Sequence, residues 1–477
     1  MAEVDAVVVG AGPNGLTAAA VMARAGLEVQ VFEANRTIGG GARTSELTEG
    51  FLHDTCSAVH PLGVGSPVFR SLDLDIDWLQ PEIALAHPFP DGSAAVLDRE
   101  VDRTAQSLGP DAGTYRKAVA PLIEHWHDLA GDLLKPPWAG WPMDPATIAR
   151  FGVRAAVPAS LLDRLARGDR APALLAGLAA HSMAPLTAPT STPIALVFAI
   201  AAHAVGWPIP RGGSQRISDA LAGQVIDHGG MIVTDHPVES LDDLPAARAY
   251  LLDVSPTALA RIAGRRLPDR FRHRLEQYRY GPGVHKLDYA LTEPVPWTAP
   301  ECRNAGTVHL GPRYDDIRGA LAAVQAGRPP EPPFVVTAQP SILDRTRSPE
   351  GRHTFWAYAH VPHGWTGDLT DAVERQVERF APGFRDTILA RHVSRPADVE
   401  AANANYVGGD IAVGSAAGLR LVARPRLAWN PFTTPDRQVF LCSAATPPGP
   451  GVHGMCGYHA ARTALRQLFD VRLPLSP

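Results

Sequence analysis

The first 33 residues constrain the fold of this chain more than any other stretch. Residues 5–9 form a short β-branched apolar run, typical of a strand buried on both faces, which leads directly into Gly10-Ala11-Gly12-Pro13-Asn14-Gly15. An Ala-rich helix is predicted over residues 16–25, and a second strand over residues 29–32 ends at Glu33. Strand, glycines, helix, strand and acid in this order predict a dinucleotide-binding βαβ unit.

Each glycine of this unit has a separate task. Gly10 allows the tight turn, Gly12 lets the backbone approach a pyrophosphate, and Gly15 lets the helix pack closely on the strand. Free N–H groups at the helix start suit phosphate oxygens, and the acid after the second strand suits ribose hydroxyls. We therefore predict cofactor contacts from these residues: Gly10, Gly12, Pro13, Asn14, Gly15, Glu33 and Ala34.

A second glycine cluster follows, with Gly40, Gly41, Arg43 and Thr44. Glycines beside an arginine suit the far end of a long, bent cofactor, which favours FAD over NAD. The stretch resembles the E-A-x(4)-G-G-x-x-R-T pattern of the phytoene desaturase branch of the flavin-dependent amine oxidase superfamily. The resemblance implies that these residues also contact FAD. It further implies that the backbone at Val238 touches the adenine.

The C-terminal stretch resembles the closing flavin motif of the same family. Residues 438–442 predict a buried strand that runs into Ser443, and a Pro/Gly-rich turn precedes a helix predicted over residues 455–469. The helix start near Gly451 and Val452 could stabilise negative charge on a reduced flavin. The resemblance spans the chain from Asp5 to Leu468 and is closest to bacterial phytoene-dehydrogenase-like oxidoreductases.

The sequence predicts an α/β fold with two domains. Strand–glycine–helix character predicts a discontinuous, Rossmann-like FAD-binding domain from residues 1–70, 209–268 and 405–477. The intervening residues 71–208 and 269–404 change to helical and then strand patterns, which predict a substrate domain of mixed or antiparallel sheet plus helices. The flavin ring is then expected at the domain boundary, where ligand pockets are common.

Composition excludes several classes of function. A formal net charge of −5 provides no basic footprint, so nucleic acid is not an expected partner. The four cysteines include no CxxC, which argues against a redox dithiol or a zinc ribbon and fits a cytoplasmic location. No metal site is predicted, because the acids alternating over residues 73–77 indicate a half-exposed strand. Peripheral membrane contact and the oligomeric state are left open.

The resemblance implies hydride transfer between a substrate carbon and flavin N5, a chemistry that the cofactor carries. The protein would then place an apolar, polyene or lipid-like small molecule and exclude water. Candidate bases or orienting groups are His60, His181, Lys286 and His453. His453 is preferred because it lies beside the flavin-facing helix start, although a structural hydrogen bond explains it equally well.

Two other functions stay open at this stage. A flavin-binding protein with an interaction role and little catalysis would share every cofactor residue. An amine oxidase-like enzyme would need an aromatic pair over the flavin, and the sequence displays no clear pair. The electron acceptor is expected to be oxygen or a quinone, because no second complete dinucleotide-binding unit follows the first.

Overall fold

The computed structural model describes residues 4–136, 138–416, 420 and 423–477. Residues 1–3, 137, 417–419 and 421–422, which belong to the predicted domain segments, lie outside the described part. In chain order the strands are β1 (Val4–Val9), β2 (Val29–Phe32), β3 (Thr44–Thr48), β4 (Phe51–Asp54), β5 (Trp78–Leu79), β6 (Ile83–Pro88), β7 (Ala94–Leu97), β8 (Ile209–Pro210), β9 (Met231–Val233), β10 (Ala247–Leu252), β11 (Gly283–Leu291), β12 (Ala305–Leu310), β13 (Val335–Ala338), β14 (His353–Val361), β15 (Ile388–Ser394) and β16 (Val439–Leu441).

Helices fill the connections between these strands. In chain order they are α1 (Pro13–Arg24), α2 (Pro61–Val64), α3 (Pro67–Ser71), α4 (Val101–Ser107), α5 (Ala112–Ile123), α6 (Trp126–Leu133), α7 (Pro145–Ala155), α8 (Ala159–Leu165), α9 (Arg170–Ala180), α10 (Ser191–Ala204), α11 (Gln215–Asp227), α12 (Pro256–Ala263), α13 (Asp269–Glu276), α14 (Tyr314–Gln325), α15 (Thr370–Glu378), α16 (Pro396–Ala402) and α17 (Met455–Leu468).

A parallel sheet carries the glycine-rich turn. Its strand order is β16-β10-β1-β2-β9, and every described pairing in it is parallel. The buried apolar run of β1 lies in the centre, as expected for a strand covered by helices on both faces. The strands come from the three segments predicted for the FAD-binding domain. The domain boundaries themselves stay a prediction.

A larger sheet lies in the other two segments, with the order β15-β11-β14-β13-β12-β6-β7. Its pairings are antiparallel except for β12 with β6. The register places His309 opposite Val336, Val336 opposite Tyr358, and Tyr358 opposite Lys286. Because residues directly opposite each other share a face, these four side chains form one row across the sheet.

Local details differ from the sequence predictions. The sequence also predicts helices over residues 115–134 and 148–166. The first divides into α5 and α6, and the second divides into α7 and α8, with Pro158 in the break immediately before α8. Residues 73–77 form no strand, which corrects the predicted half-exposed strand. Asp73 instead adopts a left-handed backbone with φ of 50° after α3, and extended structure resumes only at β5.

Two helix N-termini meet at the same end of the parallel sheet. The helices α1 and α17 pack directly against each other. Gly457, in the first turn of α17, permits this approach, because a Cβ there would overlap the backbone carbonyl of Asn14. The starts of both helices therefore lie beside the turn after β1, where anionic groups are stabilised.

Candidate active site

One cavity of about 320 Å³ extends from the glycine-rich turn to the face of the larger sheet. Ten of the predicted cofactor residues line it, namely Gly10, Gly12, Pro13, Asn14, Glu33, Gly40, Gly41, Ser443, Gly451 and Val452. At its other end the lining is aromatic and apolar, with contributions from α10, β13 and β14. The cavity thus has a dinucleotide end and an apolar end.

The glycines form a cradle that side chains would fill. A Cβ on Gly40 would lie 3.0 Å from the Gly12 Cα, and a Cβ on Gly41 would overlap the Tyr406 hydroxyl. The buried Asn14 Oδ1 borders this cradle and has no hydrogen-bond partner within the described residues. Backbone exposed between two glycine clusters at a helix N-terminus fits a bound diphosphate.

Glu33 is fixed by the turn that it faces. Its Oε2 accepts a hydrogen bond from the Ala11 N–H at 2.8 Å, and its Oε1 accepts from the Asn35 N–H at 2.9 Å. The side chain is buried yet borders the cavity. The Oε1 atom also accepts from the Asn35 Nδ2–H at 3.1 Å, so the carboxylate's remaining capacity for a ribose hydroxyl lies on Oε2.

Asp253 is a lining residue that sequence reasoning missed. It follows β10 and its Oδ2 accepts a hydrogen bond from the Gly15 N–H at 2.9 Å. Burial, opposed by this hydrogen bond and assisted by the charge of Glu33, raises the pKa of Asp253 to about 7. In the sequence, Asp253 is visible only as an acid at the end of an apolar strand. Its position beside the glycine-rich turn follows from the pairing of β10 with β1, which the local sequence does not reveal.

A loop after α16 closes the same wall. The Asn405 side chain accepts from the Ser255 N–H at 2.7 Å and donates to the Asp253 carbonyl at 2.8 Å. Asn403 and Tyr406 line the cavity beside it. The sequence predicts no cofactor contact from this loop.

The remaining predicted cofactor residues support the cradle and do not line the cavity. Arg43 donates to the carbonyls of Thr37 and Ala402, at 3.0 and 3.2 Å. Thr44 donates to Asp54 at 2.7 Å, and Gly15 is engaged by Asp253. Ala34 is exposed, whereas Val238 is buried near Phe32. Direct cofactor contacts by these five residues stay predictions.

The two preferred catalytic residues lie behind the cavity wall. His453 Nδ1 accepts a hydrogen bond from the Met455 N–H at 3.1 Å, so its lone pair is already engaged. Lys286 is buried and ion-paired with Asp288, behind the ring of Trp356 at 6.0 Å from its centroid. This arrangement favours the structural alternative for His453, and the catalytic role of both residues stays a prediction.

His60 and His181, the other candidates, do line the cavity. The Ser214 hydroxyl donates to the Ser57 carbonyl, so it accepts the hydrogen bond that joins it to His60 Nε2 at 2.8 Å. Burial lowers the pKa of His60 to about 4, so this imidazole is neutral near neutral pH. His60 therefore holds its proton on Nε2 and leaves Nδ1 as an acceptor.

Two aromatic pairs form the apolar end. Phe198 meets Trp207 edge to face, with ring centroids 5.8 Å apart. Trp356 and Tyr358, adjacent on one face of β14, are stacked at 5.9 Å with an interplanar angle of 19°. All four residues line the cavity. The structure therefore supplies an aromatic pair that the sequence did not reveal.

Known proteins resemble this chain over nearly its whole length. The family model of the NAD(P)-binding Rossmann-like domain matches residues 8–73. The rat pyridine nucleotide-disulfide oxidoreductase domain-containing protein 2 is 26% identical over 98% of this chain and 94% of its own length. The hydroxyneurosporene desaturase of Cereibacter sphaeroides is 30% identical over 49% of each chain.

Solved structures resemble the fold at lower identity. An oxidoreductase from Methanosarcina mazei matches with a TM-score of 0.62 at 15% identity, over 97% of this chain and 100% of that chain. A putrescine oxidase matches with a TM-score of 0.60 at 17% identity, over 98% and 99%. These matches confirm the predicted fold class. The relatives and neighbours named for an activity are oxidoreductases, the enzyme class that the sequence predicted.

No helix of the described residues is both long and apolar enough to cross a bilayer. The same residues contain no group of three or more histidine, cysteine, aspartate or glutamate side chains arranged to hold a metal ion.

Proposed function

We propose that the protein is an FAD-dependent oxidoreductase, similar to phytoene dehydrogenases, that transfers a hydride between a carbon of an apolar small molecule and flavin N5. The observation that carries this proposal is the continuity of the cavity. Glu33 and the glycine cradle lie at one end, and Phe198, Trp356 and Tyr358 lie at the other. A binding protein without catalysis would not require an apolar chamber that opens onto its cofactor.

The choice of FAD is supported by the second glycine cluster and by the second helix start. Gly40 and Gly41 line the cavity together with Gly10 and Gly12, and Gly451 and Val452 line it from the start of α17. A cofactor that used all of these surfaces would need to be longer than a mononucleotide. FAD supplies the hydride acceptor, while this chain supplies orientation and exclusion of water.

An apolar substrate is supported by the cavity lining and by two partial relatives. At the apolar end, the described lining carries no aspartate, glutamate, lysine or arginine. A limonene dehydrogenase subunit and a hydroxyneurosporene desaturase are among the partial relatives. Anaerobic mixing of the protein with terpenes and polyenes tests the proposal. A substrate should reduce the flavin and so bleach its visible absorbance band. Absence of bleaching with every apolar compound in the panel would count against the proposal.

A second candidate, an amine oxidase-like enzyme, is favoured by one observation. The stacked pair of Trp356 and Tyr358 borders the cavity, and a putrescine oxidase and a cyclohexylamine oxidase share the fold. Primary amines in the same anaerobic panel separate the two candidates. In either case oxygen or a quinone is the proposed electron acceptor, and reoxidation of the reduced protein by air or by menadione distinguishes these.

A further inference from the structure

Four histidines cluster at the apolar end of the cavity. His181 follows α9, and His87, His309 and His360 project from β6, β12 and β14. The rings of His181 and His309 are 5.1 Å apart, and those of His87 and His309 are 6.3 Å apart. His87, His309 and His360 are buried, and His181 is the member that lines the cavity.

This cluster contains unpaired polar atoms. Within the described residues, no hydrogen bond reaches Nδ1 of His87, Nδ1 of His309 or either ring nitrogen of His360. Burial lowers the pKa of His181 to about 4 and that of His309 well below its usual value. Both rings are therefore neutral near pH 7, and each carries one N–H and one lone pair.

The contact between His181 and His309 fixes where their protons lie. Their Nε2 atoms are 3.1 Å apart, so one donates and the other accepts. His309 Nδ1 faces the backbone of Gly177, where a Cβ would lie 2.5 Å from it. A proton on that Nδ1 would be a buried donor without an acceptor, whereas a lone pair facing a C–H group costs less. His309 therefore donates from Nε2, and His181 holds its proton on Nδ1.

The Nδ1–H of His181 is then a donor without a partner in the described structure, on a ring that borders the cavity. Its neighbours at the cavity include Phe198, whose ring centroid lies 5.2 Å away, and Met183. The charged residues in the described lining, Glu33 and Asp253, belong to the dinucleotide end. A charged substrate group beside His181 would lose hydration without gaining an ionic partner.

We propose that His181 Nδ1–H recognises a neutral hydrogen-bond acceptor, such as a carbonyl or ether oxygen, on an otherwise apolar substrate. The inference rests on the proposed function, and it narrows the substrate class from hydrocarbons to oxygenated apolar molecules. His309 is a positioning residue, because it acts through the tautomer of His181.

The test uses acetophenone and ethylbenzene, which have similar shapes and differ in the carbonyl oxygen. Calorimetric titration of the purified protein should find roughly tenfold tighter binding of acetophenone, as one hydrogen bond to an otherwise unpaired group predicts. His181→Phe should abolish the preference. His181→Asn should retain most of it, because its amide N–H lies close to the position of Nδ1. His309→Phe should weaken it.

Equal affinity for the two probes, binding of neither, or an unchanged preference in His181→Phe would overturn the proposal. Nitrogen-15 NMR of histidine-labelled protein gives an independent measurement, with the signal assigned through His181→Asn. An Nδ1–H tautomer of His181 is expected, and an Nε2–H tautomer would overturn the argument. FAD content is measured on the same samples, so absence of FAD would contradict the proposed function while the preference for the ketone still tests His181.

Discussion

The Asp253 carboxylate accepts a hydrogen bond at 2.9 Å from the Gly15 N–H, which lies in the first turn of α1, where N–H groups have no acceptor within the helix. A carboxylate therefore lies where the proposed FAD diphosphate would approach, and a Cβ on Gly12 would lie only 3.0 Å from its Oδ2. Because the raised pKa of Asp253 is about 7, its charge changes within the physiological range.

This relationship predicts that FAD binds more weakly as pH rises. Below pH 7 Asp253 is mostly neutral, and above it the charged carboxylate repels the diphosphate, so binding is accompanied by proton uptake. Titration of apo-protein with FAD should find affinity falling between pH 6 and pH 8.5, by at most about tenfold per pH unit above 7. Asp253→Asn should flatten this dependence, and an equally steep dependence in the variant would contradict the assignment.

Glu33→Ala should weaken FAD binding. The change removes a charge-assisted hydrogen bond to the proposed ribose, worth about 1.5–3 kcal/mol, and it also leaves the N–H groups of Ala11 and Asn35 without their acceptor. Glu28→Ala is the matched control, because Glu28 is an exposed acid just before β2. FAD affinity by fluorescence titration should fall for the first variant alone. Equal affinities would mean that Glu33 does not face the ribose.

The buried histidines predict loss of stability in acid. Burial lowers the pKa of His87 to about 4, against 6.5 for an unperturbed imidazole, so the unfolded state binds a proton first. Its contribution to stability is present above pH 6.5 and is lost as pH falls towards 4. Urea unfolding at pH 7.5 and pH 5.0 should reveal this loss.

His87→Gln should reduce the difference in the free energy of unfolding between pH 7.5 and pH 5.0 by up to about 2 kcal/mol. His127→Gln, at an exposed position on α6, should leave the difference unchanged. A pH dependence that is identical in both variants would show that His87 is not buried in the neutral form. Asp253 acts in the opposite direction, since its raised pKa lowers stability as pH rises towards 7.

Peripheral membrane contact, which the sequence left open, is a further proposal. Trp141, Trp429 and Leu427 are 91%, 85% and 78% exposed, and the Trp138 Nε1–H donates to the Trp429 carbonyl at 2.9 Å, which joins the two loops. Tryptophans exposed in this way suit the lipid–water interface. The protein should sediment with phosphatidylcholine vesicles, and Trp141→Ala with Trp429→Ala should release it. Absence of sedimentation would contradict this proposal.

Local sequence predicted the elements well where one segment contains the whole signal. The β1–α1–β2 unit depends on nearby apolar runs and glycines, and its predicted strands and helix lie within a few residues of the observed ones. Two apolar runs around Pro90-Asp91-Gly92 also predict a β-hairpin, and β6 and β7 form it. The break between α5 and α6 was missed, because Glu124 and His125 are ordinary helix residues.

The site was less predictable because it depends on which strands are neighbours. Alternation along β14 places Trp356 and Tyr358 on one face, but it is the register with β13 that sets Tyr358 opposite Val336, another lining residue of the cavity. Asp253 required the pairing of β10 with β1, and the contact of His181 with His309 joins a helix end to a distant strand. Local periodicity carries no information on such contacts.

FAD content tests the proposed function most directly. The protein should be purified without added flavin, precipitated with acid, and the supernatant analysed for FAD by absorbance and chromatography. We expect about one noncovalent FAD per chain, as the cradle between Gly12 and Gly40 and the buried Glu33 predict. A colourless protein that also fails to take up added FAD would contradict the proposed function.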